Sequence, residues 1–137
     1  MTPHKNAPPL SGATLGSAEN SFVVAEWRDA GGNTESPRLI APWHVHHKDD
    51  EAWYVLEGEL HVRVGADEVA VKAGASVLVP RGTAHTYWNP APEPARYLLI
   101  MTPNIYALIQ DIHAMKDRSR PLLEEVFKKH DSELVEP

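Results

Sequence analysis

The stretch "PWHVHHKDDEAWYVLEGEL", residues 42–60, decides how this chain folds. His44, His46 and His47 crowd into four positions, and Asp49, Asp50 and Glu51 follow at once. An apolar, aromatic run then reads as a β-strand. Along a strand, side chains at i and i+2 point to the same face. His44 and His46 therefore share one face, and Trp43, Val45 and His47 take the other. Glu51 lies five residues past His46, across a short "KDD" turn and on the next strand. Antiparallel neighbours on one face approach within about 5 Å, so two imidazoles and a carboxylate can converge.

A third imidazole is available downstream. In "GASVLVPRGTAHTYWN", residues 74–89, His85 follows a "PRG" turn at the start of a strand. Neutral imidazole nitrogens and a carboxylate oxygen are borderline ligands, suited to Fe, Mn, Co, Ni, Cu or Zn. Four protein ligands leave a six-coordinate ion open to water, substrate or dioxygen, and an open metal site is a reactive one. His44, His46, Glu51 and His85 are thus the candidate ligands for one divalent transition metal per chain.

Outward from these stretches the pattern is short β-runs separated by turn signals. From residue 38 to residue 101 the runs are "RLIAPWHVHH", "EAWYVL", "ELHVRV", "EVAVKA", "SVLVP", "HTYWN" and "RYLLIM". That spacing predicts an all-β sandwich or barrel in place of βαβ units. "SFVVAEW", residues 21–27, is a further strand, and residues 29–37 are a loop by their Gly, Asn, Ser and Pro content. Residues 1–18, rich in Pro, Gly, Ala and Ser, read as a loose arm. After residue 101 the period changes. Ile105, Leu108, Ile109 and Ile112 form one helical face, with Thr102 and Pro103 at its start. A second helix is expected over residues 121–129, capped by Ser119, with Lys128 and Lys129 at the negative end of its dipole. Both helices are expected to pack outside the β-domain. The organisation is an arm over residues 1–18, a β-barrel over 19–102 and a helical extension over 103–137.

Composition narrows the function classes. The chain has 137 residues, enough for one domain with a sizeable core. A net charge of −6 argues against nucleic acid or an anionic membrane surface as partner. With no cysteine, disulfides, thiolate metal sites and cysteine nucleophiles are all excluded. The first residues carry no apolar signal region, and no run approaches a membrane span, so the expected setting is cytoplasmic.

The two histidine stretches together resemble the two signature motifs of the cupin superfamily. The first motif, G-x5-H-x-H-x(3,4)-E-x6-G, is met at His44, His46, Glu51 and Gly58. Arg38 stands where its opening glycine would fall, which touches only the local loop shape. The second, G-x5-P-x-G-x2-H-x3-N, is met in full at Gly74, Pro80, Gly82, His85 and Asn89. Fifteen residues, 59–73, separate the motifs, a spacing typical of small microbial single-domain cupins. The resemblance implies a small β-barrel (a double-stranded β-helix or jelly roll) with the metal inside. The C-terminal helices look like those of bacterial cupins similar to quercetin dioxygenase. For function it implies a metal-dependent dioxygenase, with iron the first choice of metal and Glu51 acting as both ligand and general base. A redox-silent isomerase or cyclase and a non-catalytic binding or sensor domain are the alternatives. Dimers are common among such proteins, so a homodimer is expected.

The remaining residues sort by parity and place. Trp53 and Tyr87 share strand parity with Glu51 and His85 and are candidate substrate contacts, although filling the barrel would account for them equally. Trp43, Tyr54 and Trp88 face the other way. His47 and His61 are expected at the surface or a sheet interface, and His4, His113 and His130 in solvent. Asp49 and Asp50 are expected as solvated turn acids, and Asn89 as structural. Lys48, Arg63, Lys72 and Arg81 form no inward cluster for a phosphate, so a small apolar or aromatic substrate fits better than a phosphosugar.

Overall fold

The computed structural model describes residue 10, residues 13–32 and residues 38–136. Among these, the chain forms two antiparallel sheets of five strands each, with two C-terminal helices. The strands are β1 (Thr14–Leu15), β2 (Val23–Asp29), β3 (Ala41–His46), β4 (Glu51–Glu57) and β5 (Glu59–Val64). They continue as β6 (Asp67–Lys72), β7 (Ser76–Val79), β8 (His85–Trp88), β9 (Ala95–Met101) and β10 (Ser132–Leu134). The first sheet runs β1-β2-β9-β4-β7 and the second β10-β3-β8-β5-β6. The helices are α1 (Pro103–Ala114) and α2 (Arg120–Lys129). Neither is long and apolar enough to cross a membrane.

Alternation builds the core. In β9, Ala95, Tyr97, Leu99 and Met101 are buried, and the residues between them are half-buried. In β4 the buried set is Glu51, Trp53 and Val55. The facing sheet contributes Leu60, Val62, Val71 and Tyr87 to the same layer. Burying such a side chain fully contributes roughly 1.5–3 kcal/mol, so this layer dominates the fold's stability. The hairpin from β4 to β5 depends on Gly58, at φ 77°. A Cβ there would also meet the Pro94 carbonyl oxygen at 2.5 Å, so any other residue would push the hairpin off β9.

Two segments depart from the sequence reading. Thr14–Leu15, inside the stretch expected as a loose arm, pairs with β2. Residues 1–9, including His4, and most of the 29–37 loop lie outside the described residues. More consequentially, the C-terminal segment does not end in helix. Asp131, at φ 56°, turns the chain out of α2, and β10 then pairs with β3. Asp tolerates this left-handed conformation better than most residues. The helices also do more than coat the outside. Ile105, Leu108, Ile109 and Ile112 of α1 and Phe127 of α2 line the cavity between the sheets. Helix α1 starts as expected, with Thr102 Oγ1 accepting from the Ile105 amide at 3.2 Å. Ser119 precedes α2 without making a side-chain cap bond.

Candidate metal centre

Three strands deliver the four ligand candidates to one point. His44 and His46 come from β3, Glu51 from the start of β4 and His85 from the start of β8. In the β3–β8 ladder His44 stands directly opposite His85. The register shifts between Ala41 and His44, where Pro42 sits, and proline is tolerated in a sheet at such irregularities. All four side chains are buried, His85 to 1 % exposure. One nitrogen or oxygen from each lies within 4.8 Å of the others. Ligands about 2.1 Å from a shared ion span about 4.2 Å at most, so the cluster needs to tighten by only about half an ångström to close on one metal.

Its electrostatics match as well. Glu51 Oε1 lies 3.0 Å from His85 Nε2 and 3.5 Å from His46 Nε2. Burial pushes the Glu51 carboxyl up, but the neighbouring His46 and His85 rings outweigh it and bring the carboxyl down to about 2. Desolvation, with the His85 and His46 rings nearby, pushes His44 down to about 3. Near neutral pH the site therefore offers an ionised carboxylate and, at His44, a neutral imidazole, the forms that bind a cation. His44 Nδ1–H donates to the Pro42 carbonyl at 2.6 Å, and His85 Nδ1–H donates to the Thr83 carbonyl at 3.0 Å. Those bonds leave each Nε2 facing inward. His46 Nε2 is buried with no hydrogen-bond partner. Buried polar atoms are rarely left unpaired, so an orphaned nitrogen facing a carboxylate marks a place that an ion or a water could fill.

The cluster closes one part of a cavity of about 350 Å³. Its walls are mostly apolar: Trp27, Ile40, Trp53, Tyr97, Leu99 and the α1 and α2 residues already named. Trp53 and Tyr87 both line it, packed edge to face with ring centroids 5.2 Å apart. Trp53 Nε1 is the second buried atom without a partner. The Tyr87 and Tyr97 hydroxyls share a hydrogen bond of 3.0 Å. Burial drives Tyr87 well above the ordinary tyrosine value and Tyr97 up to about 12, so both stay neutral.

Several expectations are corrected here. His130 is buried, not solvated: its Nε2 lies 2.7 Å from Asp111 Oδ2, and its Nδ1 3.1 Å from Asn104 Oδ1. Asp49 is no solvated turn acid, since it accepts from Thr102 Oγ1 at 2.9 Å and Asn104 Nδ2 at 2.8 Å. Asp50 stays at the surface as expected and there holds Arg81 through its backbone and its guanidinium. His113 is exposed, as expected, and its ring also borders the cavity, 6.2 Å from that of Trp27. The other assignments match what is seen. His47 is exposed, His61 bridges Glu59 and Glu68 on the outer side of its sheet, and Asn89 braces the turn to Glu93. Sequence reasoning missed Ser132, whose Oγ lies 2.7 Å from His46 Nδ1. Its only trace is the alternation in "SEL", too short to read as a strand.

Fold and site together describe a small two-sheet domain that encloses a candidate metal centre. Residues 34–101 match the family model described as "Cupin domain", and this match with the cupin-fold structures below supports the cupin superfamily. The "Uncharacterized protein YdbB" of Bacillus subtilis is 50% identical over 44 residues, 31% of this chain and 39% of that one. The "Tetracenomycin polyketide synthase protein TcmJ" of Streptomyces glaucescens is 35% identical over 60 residues, 44% of this chain and 40% of that one. The chain thus spans about two fifths of the length of these relatives. Among solved structures, the TT1209 protein of Thermus thermophilus is 26% identical with a TM-score of 0.55, over 72% of this chain and 90% of that one. A cupin-superfamily sugar phosphate isomerase of Silicibacter pomeroyi is 26% identical with a TM-score of 0.52, over 61% of this chain and 51% of that one.

Proposed function

We propose that this chain is a metal-dependent enzyme of the quercetin-dioxygenase-like kind, acting on a small apolar or aromatic substrate that carries a hydroxyl, enol or keto group. The observation that carries the reading is the orphaned His46 Nε2, facing Glu51 in an apolar cavity. His44, His46, His85 and Glu51 would hold one divalent transition metal, with iron ahead of manganese, nickel, cobalt, copper and zinc. When bound it supplies Lewis acidity and, where redox-active, electrons for dioxygen.

The chain's own residues do the rest. Glu51, held ionised, can accept the proton of a substrate hydroxyl or enol. The apolar face of α1 and Phe127 of α2 wall off the substrate's carbon frame from water. The unpaired Trp53 indole N–H is a donor for a substrate oxygen. A second comes from the tyrosine pair, because one bond between two hydroxyls uses only one of their protons. An apolar body bearing oxygens suits this arrangement. The partial likeness to a polyketide synthase protein points the same way, since polyketides are chains of keto and enol groups.

A second reading is an isomerase or cyclase that stabilises an enolate at the same site without oxygen. The similarity to a sugar phosphate isomerase favours it. Among the described residues, Arg28 and His113 are the only basic ones lining the cavity apart from the ligand histidines, poor provision for a phosphate. The deciding measurement is oxygen uptake by the Fe(II)-loaded protein across diketones, catechols and flavonols. Uptake matched to substrate loss is expected. Substrate loss without uptake moves the assignment to isomerase or cyclase, and no turnover on any panel moves it to a binding or sensor domain.

The homodimer belongs to the same proposal. Leu15, Val24, Ile100, Ala52 and Leu78 lie side by side in one row across all five strands of the first sheet, with Leu78 61 % exposed. A two-fold axis would set this row against the same row of a second copy. Light scattering should give twice the 15.2 kDa chain mass, and a clean monomer would sink the idea.

A further inference from the structure

We propose that Ser132, outside the matched cupin domain, is a positioning residue that sets the tautomer of His46 and thereby the metal affinity of the centre. The inference rests on the metal reading of the cluster. It begins from a difference among the three imidazoles. His44 and His85 are oriented by the backbone carbonyls of Pro42 and Thr83. A carbonyl can only accept, so both rings carry their proton on Nδ1. His46 instead faces the Ser132 hydroxyl at 2.7 Å, and a hydroxyl can donate or accept.

The surroundings of Ser132 remove that ambiguity. Its Oγ also lies 3.2 Å from the His130 carbonyl, to which it donates. A hydroxyl has one proton, so toward His46 it accepts. The His46 proton is therefore on Nδ1, and Nε2 presents its lone pair to the cluster. The His130 carbonyl is itself held by Asn104 Nδ2 at 2.8 Å, so the chain of bonds ends on a fixed acceptor. Strand pairing fixes the rest: Ser132 is directly opposite His46 in the β10–β3 ladder, and each is 3 % exposed.

Two of the three supports are backbone atoms that no substitution removes. The third is one side chain, brought by a segment beyond residues 34–101. The same segment places Leu134 opposite His44 and the Phe127 ring 5.5 Å from the His44 ring. The C-terminal turn of chain thus completes the centre, and Ser132 is where it touches a ligand.

The test uses the full chain and zinc as probe. Zn(II) affinity is measured by chelator competition for wild type, S132T and S132V, variants matched in size that differ in the hydroxyl. The expected result is near wild-type affinity for S132T and a loss of about ten- to a hundred-fold for S132V, the usual cost of removing the partner of a ligating histidine. Zinc-loaded wild type should show a slowly exchanging His46 Nδ1–H signal by nitrogen-15 NMR, kept in S132T and lost or shifted in S132V. Equal affinities for the two variants, or an unchanged Nδ1–H signal in S132V, overturn the role of Ser132 while leaving the metal reading intact. Wild type that takes up no zinc overturns the metal reading and this inference with it. Urea melts of the metal-free proteins separate the effect from folding: a loss of affinity that merely follows a loss of stability, in both variants alike, also overturns it.

Discussion

The candidate ligand cluster of His44, His46, Glu51 and His85 and the group of His130, Asp111, Asn104 and Asp49 are built from similar chemistry, and Ser132 joins them. They differ in how their polar atoms are spent. In the second group each His130 nitrogen faces an acceptor, both Asp49 oxygens accept, and Asn104 uses both amide hydrogens. The His130 ring beside Asp111, with Lys129 adding to it, holds that carboxyl below the usual range. In the first group, Nδ1 atoms are spent on carbonyls and a hydroxyl while Nε2 atoms gather around one carboxylate, His46 Nε2 with no partner. A satisfied group is a rivet that ties α1 and α2 to the turn after β3. A group that leaves an inward nitrogen unspent beside a buried carboxylate is a candidate site. Residue types alone do not separate the two cases.

The strongest way to break this comparison is metal content. His46→Ala with Glu51→Ala should take bound metal from about one ion per chain to nearly none by elemental analysis after desalting, since two of four ligands are gone. His130→Ala should keep its metal. Loss in both, or in neither, would erase the distinction. Linkage gives the next effect: zinc at about a hundred times its dissociation constant should stabilise wild type by about 2.7 kcal/mol in urea melts and leave the double variant unmoved. Asp49→Ala tests the rivet from the other side. It leaves the Thr102 hydroxyl and one Asn104 hydrogen without their acceptor, at a cost of about 1–3 kcal/mol, and should not change zinc affinity.

The clustering of the four candidate ligands was legible because strand alternation and motif spacing together place them on one face. The β5 boundaries, residues 59–64, and the first turn of α1 were legible for similar reasons, since period and capping chemistry are local. What escaped was non-local. His130 reads as a helix-end histidine, and its burial comes from Asp111 and Asn104 on another helix. Asp49 reads as a turn acid until α1 arrives over it. β10 has three residues, too few for any period, and exists because β3 offers an open edge. The helices' place over the cavity was likewise invisible, because an apolar helical face says that something is covered and not what.

Two smaller effects sharpen the contrast inside the cavity. Tyr97 is held neutral up to about 12 by burial, against 10.0 for an ordinary tyrosine. A folded group whose ionisation is raised leaves the unfolded chain to ionise first, so stability is intact below pH 10 and falls as pH rises toward 12, by about 2 kcal/mol. Tyr97→Phe should flatten that decline in urea melts across the alkaline range; an equally steep decline would assign it to other groups. The smallest change is expected at Trp53. A buried indole N–H with no protein partner contributes no bond to folding, only the cost of its lost hydration. Trp53→Phe keeps an aromatic ring against Tyr87, removes that donor and leaves a small cavity, so it should cost about 1–2 kcal/mol through packing alone. A loss well beyond that would mean that the N–H is already satisfied within the fold, which would place Trp53 with His130 among the rivets and leave the substrate oxygen without this donor.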